Sequence, residues 1–226
     1  MEDKGNLIAA ELKAPRAGAV AGILFSILLI ISVVLIRLSV PDSPDDPGAW
    51  LAHSAKSVSL GLALLPFAGI AFLWFMGVLR DRMGSHEDRF LATVFLGSGI
   101  LFLAITFASF AVTGGLMTAY EAMPGTVMDS GTYHFARALG YQLANVYALR
   151  MAGVFMMSTC TIAIRIGTFP RWMAFLGYGL ALFLVLSIGR FGWAPLVFPL
   201  WTLVISVYVL CANFRAAPET NVLGGR

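Results

Sequence analysis

The chain has 226 residues, of which 59% are apolar and 12% charged, with a net charge of +3. A soluble domain carries about 25% charged residues, so this composition excludes an ordinary soluble fold and predicts an integral membrane protein. It also removes the case for a nucleic-acid surface, because basic residues on the cytoplasmic flanks of membrane helices account for the positive balance.

The predicted architecture is all-α: a single domain over residues 1–226, built from six transmembrane helices with both termini cytoplasmic. The first span runs from Ala17 to Ile36, after Lys13, Pro15 and Arg16. Gly18, Gly22 and Ser26 recur every four residues along it and form a small-residue face for close helix contact. PDSPDDPGAW, Pro41 to Trp50, reads as a solvated turn whose acids, Asp42, Asp45 and Asp46, lack the spacing of a calcium loop. The second span, Val58 to Leu79, contains Pro66, a site for a kink.

RDRMGSHEDR, Arg80 to Arg89, is a mixed-charge loop that reads as hydrated and topogenic. The third span is Phe90 to Val112. Residues 113–139 follow, glycine-rich and moderately apolar, and are expected to form an ordered extracytoplasmic cap. The fourth span is Gly140 to Ile164, the fifth Trp172 to Gly189, and the sixth Trp193 to Ala212. Ten basic residues then fall on the side of the termini, against Arg37, Lys56, Arg137 and Arg190 on the other side. That asymmetry sets the orientation. Cys160 and Cys211 both lie in apolar segments and read as small buried hydrophobes.

Arg150 is the residue that asks for a function. At 1.5 Å per residue it lies about 15 Å below Gly140, near the middle of a roughly 30 Å hydrocarbon layer. An arginine there costs about 3 kcal/mol or more, and it keeps its proton, so it suits an anion site or a structural clamp rather than a proton relay. None of the six spans contains Asp or Glu. Glu121 and Asp129 are the nearest carboxylates, and a fold-back of 113–139 would pair one of them with Arg150. Gln142 and Asn145 are the other polar candidates on the same helix, and Tyr147 is its neighbour at three residues. A quinone carbonyl or a lipid phosphate would also satisfy the guanidinium.

Recognisable catalytic signatures are missing. There is no HExxH, GxSxG or GxxxxGK[ST]. His53 and His134, in the outer loops, are the only histidine pair that could share a metal with loop acids, and no two histidines are placed to clamp a haem within the membrane. No cofactor is predicted, while a bound lipid or quinone is compatible with the composition.

AGILFSILLI in the first span, the PDSPDDPGAW loop, LGSGILFLA in the third span and APLVFPLW near the last give a layout that resembles bacterial six-helix membrane proteins of the DUF4386-like kind. The resemblance implies a multi-pass protein of the bacterial plasma (inner) membrane and no settled catalytic activity. The leading expectation is a noncatalytic accessory or scaffold subunit of a membrane complex. Its partners would be membrane lipids and another membrane subunit or a second copy, with no nucleic acid. A transporter or channel for a small or lipidic ligand at Arg150 is the alternative, and a lipid- or quinone-acting membrane enzyme the third.

Overall fold

In the computed structural model the described residues are 2–41, 48–81, 89–129, 131–167, 170–187 and 191–216. The acidic loop around Asp42, Asp45 and Asp46 and the mixed-charge loop with His86 lie outside them. Every element among the described residues is helical. In chain order these are α1 (Glu2–Ser39), α2 (Trp50–His53), α3 (Ala55–Asp81), α4 (Arg89–Ala122), α5 (Pro124–Asp129) and α6 (Thr132–Gln142). A π-helical segment (Leu143–Ala148) joins α6 to α7 (Leu149–Ile166), followed by α8 (Arg171–Leu186) and, after a 3₁₀ turn at Ala194–Leu196, α9 (Val197–Ala216).

Five helical stretches are long and apolar enough to cross a membrane: Ala17–Ser39, Ala55–Asp81, Arg89–Ala122, Thr132–Ile166 and Ala194–Ala212. Their outward faces carry large apolar side chains. Phe67, Trp74, Phe90, Leu101 and Leu200 are all exposed, an exterior suited to lipid rather than water. The expected fifth span, Trp172–Gly189, is the exception. Its helix, α8, has 16 residues and covers about 24 Å, short of a roughly 30 Å hydrocarbon layer. It ends at Ser187, where the backbone turns extended (ψ 122°).

Boundaries also move at the cap. The third span continues past Val112 to Ala122, and the fourth begins at Thr132 rather than Gly140. Residues 113–139 are therefore the upper turns of α4, then α5, then most of α6. Pro124 opens α5 because its ring suits a helix start. Gly131, at φ 71°, takes the left-handed conformation that turns the chain into α6. We call the end carrying α2, α5 and α6 the upper end.

The core forms where α1 packs on α3 and α9, and where α7 packs on α4 and α8. Phe72 of α3 stands at its centre, with ring centroids 4.7 Å from Phe25, 5.2 Å from Phe155 and 5.8 Å from Phe198. One aromatic cluster thus ties α1, α3, α7 and α9 together. The small-residue face on α1 is used as expected: a Cβ on Gly18 would meet Val78, and one on Gly22 would meet Phe75 and Ser206. A second apolar cluster, with Trp50, Val58, Leu116, Val127 and Tyr133, closes the upper end. Cys160 is buried, but Cys211 is exposed on α9. The position of Cys211 on the outward face of α9 corrects its reading as a buried hydrophobe.

Candidate functional site

Hydroxyl groups inside the bundle are mostly consumed by their own helices. Thr106 donates to the carbonyl of Phe102 at 2.7 Å, Thr159 to that of Phe155 at 2.7 Å, and Thr202 to that of Phe198 at 3.0 Å. This i−4 bonding is the usual way to bury a hydroxyl in an apolar medium. Among the described residues Thr161 of α7 and Tyr178 of α8 pair with their hydroxyls 2.7 Å apart, and the other polar side chains that meet from different helices do so in the upper half of the bundle.

There a cavity of about 750 Å³ lies between α1, α4, α6, the π-helical segment and the start of α9. Its floor is apolar, formed by Leu29, Val33, Phe102, Leu149 and Phe198, all buried. Its upper wall carries Arg37, Arg137, His134, Tyr141, Gln142 and Asn145. Pro41, His134, Ala138 and Tyr141 are exposed and mark the mouth. From Leu29 to Arg37 along α1 the wall rises about 12 Å.

Arg37 is half-buried. Its Nη2 donates to Asn145 Oδ1 at 2.5 Å, and its guanidinium stands 5.8 Å from the centroid of the Tyr141 ring. Asn145 in turn donates from Nδ2 to the carbonyl of Tyr141 at 3.1 Å. Asn145 is 3% exposed, a buried amide whose oxygen and nitrogen are both engaged. The π-helical segment presents it: an i→i+5 turn is wider than an α turn, and such turns concentrate at functional sites.

Tyr133 is the second hub. Its hydroxyl accepts from Trp50 Nε1 at 3.0 Å and from Arg137 Nη1 at 2.9 Å. Arg137 Nη2 donates to the carbonyl of Pro41. Thus α2, α6 and the end of the first helix are fastened together above the cavity. Ser109 adds a further tie, donating to the carbonyl of Gly140 at 2.8 Å and holding α4 against α6.

The residues expected at the site divide. Asn145 and Gln142 line the cavity. Arg150 is half-buried but is not part of that lining. Its Nη1 donates to the carbonyl of Val146 at 3.4 Å, so the side chain runs back along its own helix. Among the described residues no carboxylate reaches it. Tyr147, 56% exposed, faces outward. Glu121 is exposed in the last turn of α4. Asp129 ends α5, and its side chain lies outside the described residues. His53 is exposed and bonded to the carbonyl of Ala49 at 3.0 Å, while the His134 ring packs on Tyr133 at 5.3 Å. No group of three or more potential metal ligands occurs among the described residues.

The residue that sequence reasoning missed is Arg37. Its position near the end of the first span suggested a topogenic flank. The signal against that was the apolar residues beyond it, Leu38 and Val40, which fit a helix that continues to Ser39 and carries Arg37 into the bundle. Comparison with family models, curated proteins and solved structures finds no match to the chain.

Proposed function

We propose that this is a multi-pass membrane protein that binds a lipid-like, amphipathic molecule in the cavity beneath Arg37. The observation that supports this reading is the cavity itself, about 750 Å³ with an apolar floor and its polar groups gathered at one end. Small-molecule sites occupy about 300–1,000 Å³, are mostly apolar, and use a few placed polar groups for orientation. Enclosure between helices of a bundle is a recurrent setting for such sites. Of the alternatives raised by the sequence, the ligand site of a transporter or channel for a small or lipidic ligand is therefore favoured over the scaffold reading. Arg37 replaces Arg150 as its anchor.

The same proposal places α8 across the membrane as a sixth crossing, with its ends reached by local thinning of the bilayer. Both termini are then cytoplasmic and the cavity mouth is extracytoplasmic. The layout shared with DUF4386-like proteins supports the bacterial inner membrane as the location in this reading.

The test is native mass spectrometry of the protein released from nanodiscs prepared out of its own membrane. A single chain or homo-oligomer that keeps one amphipathic small molecule is expected. Its loss in a variant that fills the cavity, Val33→Trp, would locate it. A different membrane protein retained at fixed stoichiometry, with no small molecule, would overturn the reading in favour of an accessory subunit.

A further inference from the structure

The heights of α7 and α8 define a second place for a lipid, outside the cavity and independent of what the cavity holds. It rests on α8 crossing the membrane. Both helices meet an arginine at the lower end: Arg165 is exposed in the last turn of α7, and Arg171, also exposed, opens α8. At 1.5 Å per residue, Arg150 on α7 and Leu186 at the end of α8 lie at one height, about 22 Å above those arginines. The packing agrees with this register. A Cβ on Gly153, one turn below Arg150, would stand 2.8 Å from the carbonyl oxygen of Ala181 and 3.4 Å from the nitrogen of Val185, in the last turns of α8. Above that level α8 no longer covers its side of α7, and about 8 Å of a roughly 30 Å hydrocarbon layer remains.

Arg150 stands at this step. It is half-buried and outside the cavity lining, and Tyr147, a turn above it on α7's outward side, is 56% exposed. Its one hydrogen bond among the described residues is the 3.4 Å contact with the carbonyl of Val146, which leaves most of its five N–H donors unspent. The sequence holds no Asp or Glu between Asp129 and Glu219, so neither α7, nor α8, nor the connection after α8 supplies a carboxylate. We infer that a membrane phospholipid is held at this step, its phosphate oxygens on the Arg150 guanidinium and its acyl chains against the outward face of α8, where Leu182 and Leu186 are exposed.

A guanidinium is a planar fork that matches phosphate oxygens through paired N–H donors. The cost of a cation inside an apolar layer falls when the side chain snorkels and the bilayer thins beside it, and a helix as short as α8 draws the bilayer thin at the same place. The direction of the side chain fits, since it runs from Arg150 up towards Val146. So does the aromatic rim: Tyr147 and Trp193, the latter just before the turn into α9, are exposed at the upper end, as residues of a headgroup belt are.

The experiment is a native mass-spectrometric titration of the full chain in non-ionic detergent with dioleoylphosphatidylglycerol and, separately, with dioleoylglycerol, which has the same chains and no phosphate. The first phospholipid is expected to bind about tenfold more tightly than the first diacylglycerol, the margin of charge-assisted hydrogen bonds. Arg150→Gln is expected to erase that margin. Val146→Glu is expected to erase it with Arg150 in place, because a carboxylate four residues before an arginine pairs with it; this variant decides the matter if Arg150→Gln does not fold. Val33→Trp, which fills the cavity, is expected to leave the margin intact.

A margin that survives in Arg150→Gln or, with that variant unfolded, in Val146→Glu overturns the site. A margin lost in Val33→Trp and kept in Arg150→Gln places the phosphate in the cavity and overturns the Arg150 site alone. Equal binding of the two lipids by the unaltered chain overturns the phosphate contact. Displacement of phosphatidylglycerol by inorganic phosphate at equal concentration identifies a free anion and overturns the lipid. A reporter at the C-terminus that is active outside the cytoplasm overturns the premise, α8 across the membrane, and is read separately from lipid binding.

Discussion

Tyr133 shows how one side chain holds the upper end together. It is buried to 1% exposure, and its hydroxyl receives two donors from two different elements, Trp50 of α2 and Arg137 of α6. Tyr133→Phe keeps the ring and its packing but strands the buried indole N–H. The expected loss is about 1–3 kcal/mol, measured as a lower thermal midpoint in nanodiscs. An unchanged midpoint would mean that Trp50 finds another acceptor. At the same scale, Arg37 and Arg150 explain why the site was only partly legible. The sequence marks both as arginines in apolar surroundings. It cannot show that Arg150 bends back to Val146 while Arg37 crosses to Asn145, 108 positions away. Long-range pairing of this kind depends on which helices become neighbours. Asn145 and Gln142 were legible because they are polar residues inside an apolar helix.

Helices are where the sequence was most informative. Five stretches with the required length and apolarity were evident from composition, since a membrane leaves a chain few alternatives to helix. What it could not supply was the upper boundary of α4 and α6. Gly114 and Gly115 look like a break, yet α4 continues through both, because tertiary contacts outweigh a glycine's modest helix penalty. Close crossings were partly visible as small residues. Gly153 is the most demanding of them: a Cβ there would stand 2.8 Å from the carbonyl oxygen of Ala181, a backbone atom of α8. Gly153→Ala must push α8 outward, and its expected cost is about 1–3 kcal/mol. Gly179→Ala, where a Cβ meets nothing within 4 Å, is the control. Thermal unfolding of the two variants side by side should show a loss for the first alone.

For the molecule as a whole, the expected orientation rests on the ten basic residues that six crossings would put on the side of the termini, against four on the other, and the number of crossings rests on α8. With α8 across the membrane the termini lie on the same side; with α8 on the surface they lie on opposite sides. Reporter fusions at both ends decide this. Both reporters active only in the cytoplasm is the expected result, and a C-terminal reporter active outside would leave five crossings. The upper cluster around Trp50 and Tyr133 would then still stand at the mouth end of the cavity, because α1 to α7 keep their arrangement in either case.

The π-helical segment at Leu143–Ala148 has a further consequence, for the tolerance of the chain to a change in length. A wide turn of this kind holds one residue more than the α turn it replaces, while the helix on either side keeps its facing. It therefore resembles the scar of a single-residue insertion. Deletion of Ala144 should let the segment close into an ordinary α turn, with Thr132–Gln142 and Leu149–Ile166 still facing their neighbours. Deletion of Met157, within the regular part of α7, has no slack to absorb it and turns one half of the helix by about 100° against the other. The first protein should accumulate in the membrane and the second should not. The shortened helix would lack the outward swell that brings Asn145 to Arg37, so it would be a folded protein with a disarmed cavity.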